Sequence, residues 1–164
     1  TTPPLTEPVE VTGPIVAKLY ASTSARDTDW MVRLIDVYPD GYAALLCDGV
    51  IRARYRDPNN HGAFNSERLG EITPNQVYEY TIDFWRATGN VFGPGHRIRV
   101  EVSSSYFPYY LRNLNTGADN NGLETRMVVA DQKVYHSGEY PSHVILPVIP
   151  PREGQQPKKP GSTN

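Results

Sequence analysis

GHRIRVEVSSSYFPYYLRNLNTG, residues 95–117, is the stretch on which the fold reading turns. From Arg97 to Ser105 it alternates, with Ile98, Val100 and Val102 on one side and Arg97, Arg99 and Glu101 on the other. Period two is the signature of a strand with one buried face. The alternation then empties into a segment crowded with Tyr106, Phe107, Tyr109 and Tyr110 around Pro108, followed by Arg112, Asn113 and Asn115. A strand would send those aromatics to both faces, and proline breaks regular pairing. The stretch therefore predicts a β-protein carrying a chemically rich loop.

The rest of the chain agrees with that start. Its 164 residues suit one domain, and its 11 tyrosines, 13 glycines and 15 prolines favour strands joined by turns. A net charge of −2 without a basic cluster argues against a nucleic-acid partner. No apolar run approaches membrane-spanning length. The single cysteine, Cys47, lies among apolar neighbours and reads as a buried, inert thiol.

Residues 8–23 read as one bent strand or two short ones, interrupted at Gly13–Pro14. Residues 31–37 alternate, and Pro39-Asp40-Gly41 turns the chain into 42–47. Asp48-Gly49 between apolar runs predicts a hairpin into Val50–Tyr55. Positions 56–74 read as a long loop, 77–85 as a strand, and ATGNVFGPG (87–95) as another loop. Two final strands are expected near 126–136 and 143–149. The expectation is an all-β domain over residues 1–150, an antiparallel two-sheet sandwich, with a disordered tail at 151–164.

The segment 95–117, together with DTDWMVRLIDVYPDG (27–41), IRARY (51–55) and YPSHVILPVI (140–149), resembles the C-terminal domain of the serine hydrolases that include X-prolyl dipeptidyl-peptidases, cocaine esterase and α-amino acid ester hydrolases. The resemblance implies a jelly roll of the galactose-binding-like type. It also implies that the Ser, Asp and His of the triad lie outside this chain, and that the partner is a catalytic α/β-hydrolase domain whose active-site mouth this domain helps to frame. In such proteins a further strand leads into the position of Thr1; without it a sheet edge would stand exposed. The abrupt opening TTPPLTEPVEV reads as the middle of a longer protein.

The residues themselves offer no enzyme. There is no Gly-x-Ser-x-Gly elbow, and His61, His96, His136 and His143 have no evident serine partner, since Ser142 and His143 would point to opposite faces of a strand. Asp27 and Asp29 share one side of an extended segment and make a candidate Ca²⁺ site, set against pairing of Asp29 with Arg97 or Arg99. Asp119-Asn120-Asn121-Gly122 is also oxygen-rich, but EF-hand spacing would need glycine at position 124, where glutamate stands.

For the aromatic segment three readings compete. Phe107 and a tyrosine can plug the end of the sandwich while Arg112, Asn113 and Asn115 satisfy loop backbone. Tyr106, Phe107, Tyr109, Tyr110 and Arg112 can instead anchor the catalytic domain. Or the aromatics, with Trp30 and Trp85, can stack on sugar rings as a polysaccharide-binding module.

Overall fold

The computed structural model describes residues 1–56, 72–86, 88–118 and 123–151. Among the described residues the regular structure consists almost wholly of strands. In order they are β1 (Val9–Gly13), β2 (Val16–Thr23), β3 (Asp29–Val37), β4 (Ala43–Arg52), β5 (Tyr78–Asp83), β6 (Thr88–Phe92), β7 (Arg97–Ser103), β8 (Gln132–Val134), β9 (His143–Ile145) and β10 (Val148–Ile149), with one 3-10 turn at Ala53–Tyr55. They form three antiparallel sheets, β10-β1-β6, β5-β2-β8 with β9 also on β2, and β4-β3-β7.

These sheets enclose one core because each strand keeps its apolar period. β2 sends Ala17, Leu19 and Ala21 inward, β3 sends Trp30, Val32 and Leu34, and β5 sends Tyr80 and Ile82; Val11, Ile15 and Phe92 close the cluster. Nine buried residues of this set are aliphatic or aromatic side chains of the size whose burial stabilises by about 1.5–3 kcal/mol each. The result is the expected all-β sandwich.

Gly13–Pro14 divides residues 8–23 into two strands, the second of the two readings, because β1 and β2 join different sheets. Four expectations change. Asp48-Gly49 is no hairpin: β4 runs through it, pairing with β3 along its whole length. Glycine is required there for another reason. Gly49 bridges to Phe84, and a Cβ on it would stand 2.6 Å from the Asp83 carbonyl oxygen. The loop expected over 87–95 contains β6, recruited by β1 through a register from Val9↔Phe92 to Gly13↔Thr88. Of the strand expected near 126–136, only Gln132–Val134 pairs regularly, and the strand expected at 143–149 divides into β9 and β10 on different sheets. The loop over 56–74 and the tail after 151 fall largely outside the described residues.

β7 is an edge strand. The N-terminal residues run antiparallel beside its first half, where Thr2 N–H donates to the Ile98 carbonyl at 2.9 Å and Leu5 N–H to that of His96 at 2.8 Å. Among the described residues that cover ends beyond Ile98. A cleft of about 740 Å³ opens there between the sheets, with Ile98, Val100 and Val102 on one wall and Leu19, Val134 and Val144 on the other.

Candidate functional site

The candidate site is the loop that follows β7, together with the end of the sandwich beneath it. The chain leaves β7 through a serine clasp in which Ser103 Oγ donates to the Ser105 carbonyl and accepts from its N–H, at 3.0 and 3.3 Å. It then folds back on itself. Tyr110 N–H donates to the Tyr106 carbonyl at 3.2 Å, and the Phe107–Pro108 peptide is cis. The turn stacks Tyr106 on Tyr109, with centroids 5.1 Å apart and planes at 25°, and brings Tyr110 within 6.2 Å of Tyr106.

This hook, residues 106–112, sits on the outer face of β3. Arg33 lies 5.0 Å from the Tyr106 ring while its guanidinium is held 3.0 Å from Glu101. Tyr110 donates to Asp48 at 3.4 Å. Burial raises the Tyr110 phenol above its usual pKa, and the Asp48 charge adds to it. Tyr106 and Tyr110 thus face the sheet, whereas Phe107 and Tyr109 are 64% and 80% exposed. Arg112 lies over Phe107 at 5.9 Å.

Immediately below the hook is a buried ionic cluster. Asp27 and Asp29 point to the same side, as their spacing predicted, and both are buried. Arg54, itself buried, donates through Nε to Asp27 Oδ2 at 2.8 Å, and its backbone N–H reaches Oδ1 at 3.1 Å. Arg52 donates through Nε to Asp29 Oδ1 at 2.9 Å. The amide of Asn113 bridges the two carboxylates, 3.1 Å from Asp27 Oδ2 and 2.9 Å from Asp29 Oδ1. Arg54 Nη2 continues to the carbonyls of Gly117 and Ala118 at 2.7 and 3.2 Å. Two carboxylates and two guanidiniums therefore balance, and the carboxylate oxygens already accept hydrogen bonds. Burial pulls the Arg52 pKa down, but the hydrogen bond and charge of Asp29, aided by Asp27, outweigh it and leave that pKa raised.

That arrangement is an ion-pair network, with both carboxylates engaged by arginines. Among the described residues no group of three or more acidic, histidine or cysteine side chains is placed to hold a metal. Asp29 pairs with Arg52, not with Arg97 or Arg99, whose guanidiniums bond to Thr2 and Thr1. The oxygen-rich run at 119–122 lies outside the described residues.

The remaining candidates divide. Asn113 and Asn115 are brought beneath the hook, and Trp85 is half exposed after β5. Trp30 is not at the surface: it packs in the core 5.9 Å from the Tyr80 ring, so it offers no face to a sugar. Of the described histidines, His96 sits 2.8 Å from buried Asp36 and His143 bonds the Pro141 carbonyl; none bonds a serine. The residues missed by sequence reasoning are Arg52 and Arg54. Their signal was present as Arg-x-Arg set against Asp-x-Asp, but only the register Asp29↔Arg52 makes it readable.

A family model, the X-Pro dipeptidyl-peptidase C-terminal non-catalytic domain, matches residues 1–145. The chain belongs to that family. The family is non-catalytic, in keeping with the missing nucleophile elbow. The cocaine esterase of Rhodococcus sp. (strain MB1 Bresler) is 48% identical over 147 residues, 88% of this chain but 24% of the esterase. The crystal structure of an aminopeptidase from the marine sediment archaeon Thaumarchaeota archaeon superposes with a TM-score of 0.81 at 37% identity, over 91% of this chain and 25% of that one. An α-amino acid ester hydrolase does so with 0.72 at 36%, over 89% and 24%. This X-Pro dipeptidyl-peptidase C-terminal domain thus spans about a quarter of the length of the relatives it matches, as an accessory domain of a hydrolase does.

Proposed function

We propose that this domain docks through the hook at 106–112 onto a catalytic α/β-hydrolase domain and frames the entrance to its substrate site. The catalytic domain would cleave an ester or amide with a Ser-His-Asp triad carried outside this chain. The observation that carries the reading is the pairing of exposed aromatics with a rigid base. Phe107 and Tyr109 face solvent, while the loop bearing them is clamped by Arg33, Asp48 and the Asp27–Arg54–Asn113 cluster. Preorganised aromatic anchors with an arginine alongside are the features that concentrate binding energy at an interface.

The test is association of the domain with its hydrolase partner. Phe107→Ala is expected to weaken it by about 2 kcal/mol, roughly 30-fold, as loss of a hot-spot anchor does. Thermal stability should hold, because Phe107 lies mostly outside the core. The domain alone should hydrolyse neither aryl esters nor X-Pro amides. Unchanged association of the Phe107 variant would remove the hook from the interface. Retardation of the domain in a polysaccharide gel, lost in Tyr109→Ala, would point instead to sugar binding.

A further inference from the structure

The hook is not the only apolar surface at this end of the molecule. Residues 123–131 run past it without joining any sheet. Within that run Met127 and Val129 are 62% and 90% exposed, and Val128 between them is 40% exposed. Three consecutive apolar side chains open to solvent on irregular backbone are not what a strand period or a sandwich core would leave there. Contiguous exposed apolar surface marks a place that a partner covers.

The strip is held to the hook through hydrogen bonds. Val128 N–H donates to the Leu114 carbonyl at 3.0 Å, and its own carbonyl accepts from Asn115 Nδ2 at 3.0 Å. Asn115 adopts a left-handed conformation, φ 62°, and its N–H donates to Asn113 Oδ1 at 2.9 Å. Asn113 is the residue that bridges Asp27 and Asp29. One chain of bonds therefore leads from the buried carboxylates through two asparagines to Val128, while the hook ends directly before Asn113. At its far end the strip is tied again, where Ser24 N–H donates to the Asp131 carbonyl and Asp131 N–H to Ser24 Oγ, at 3.0 and 2.9 Å. The strip is thereby fixed at Val128 and at Asp131 while the side chains of Met127 and Val129 stay outside.

We infer that Met127–Val129 is a second half of the docking face, set beside the hook by Asn113 and Asn115, and that both halves are covered by the same catalytic α/β-hydrolase domain. This rests on the docking reading above and extends it to a segment that reading does not need. The occupant follows from length and adjacency. Relatives place this domain within chains about four times its length, and two strips bonded to each other are covered most simply by one tethered body.

The chain supplies its own background for a test. Its one cysteine, Cys47, is buried, and burial with the neighbouring Asp48 charge pushes its thiol up to about 11, so it stays unreactive towards a maleimide at pH 7. Val129→Cys and, separately, Phe107→Cys each add one exposed thiol to this domain, at positions that make no core contact. Maleimide labelling of each, read by mass on the peptide that carries it, is compared in this domain alone and in the intact hydrolase that contains it. Labelling at both positions should slow at least about tenfold in the intact hydrolase, as for a group reached only by local opening. Protection at 107 with none at 129 would overturn the inference and leave the docking reading standing. Absence of protection at both would sink the two together. Protection of position 129 in the isolated domain that vanishes on dilution would make a second copy the occupant and overturn the inference as well.

Discussion

Arg54 is one of the largest fully buried side chains in the molecule, and its environment explains how a guanidinium is tolerated there. Asp27 takes its Nε and backbone N–H, and the carbonyls of Gly117 and Ala118 take Nη2. Removing one side of such a pair leaves the other charged and desolvated, which costs more than the pair itself contributes. Asp27→Ala is therefore expected to lower stability by about 3–5 kcal/mol, read as a shift of the urea midpoint at unchanged slope. A loss below about 1 kcal/mol would mean that water reaches Arg54, and that the cluster does not anchor residues 113–118. Half of this was legible in the sequence. The same-side placement of Asp27 and Asp29 follows from period two, but their partners come from the end of β4 and the 3-10 turn after it, about 25 residues away, through a register no local pattern shows. Trp30 illustrates the complementary limit. Alternation fixes which face a residue takes, whereas burial of that face depends on the sheet packed against it.

At the scale of elements, two of the departures from expectation fall on glycine-containing segments. Asp-Gly is a strong turn signal because glycine reaches left-handed conformations, yet Gly49 is needed for close approach. Its missing Cβ lets the end of β5 cross β4, with the Asp83 carbonyl 2.6 Å from where that atom would stand. Gly49→Ala is expected to destabilise by about 1–3 kcal/mol, the range for forcing extra volume into a packed site. Calorimetry decides it: an unchanged Tm would show that β4 and β5 can separate without cost. The segment 87–95 was masked in a similar way, because Gly89, Gly93, Pro94 and Gly95 outweigh the short pattern that β6 carries. Only its partner β1 makes Thr88–Phe92 a strand. The hook was readable as aromatic and irregular, but the division of its tyrosines into sheet-facing and solvent-facing rings depends on Arg33 and Asp48, which lie on other strands.

Over the whole molecule, the sandwich is closed more completely on some sides than on others. β3 is paired on both sides along most of its length, whereas β7 has β3 on one side and on the other, among the described residues, only residues 1–5, bonded at Ile98 and His96. Because backbone groups alternate along an antiparallel strand, the groups of Val100 and Val102 point the same way as those of Ile98, towards the uncovered edge. Their side chains line the apolar cleft between the sheets, and Val102 is 38% exposed for that reason. An edge of this kind, apolar and opening on a cleft, is a template for another strand, and an inward-pointing charge is the device that blunts it. Val102→Lys is therefore expected to reduce concentration-dependent self-association of the isolated domain while lowering Tm by no more than a few degrees. Light scattering across a concentration series measures the first effect and calorimetry the second. If both proteins stay monomeric at every concentration, residues 1–5 already protect the edge. If the lysine variant unfolds instead, the cleft wall contributes to the core, and the cover it lacks is a packing partner that completes the sandwich rather than a shield against aggregation.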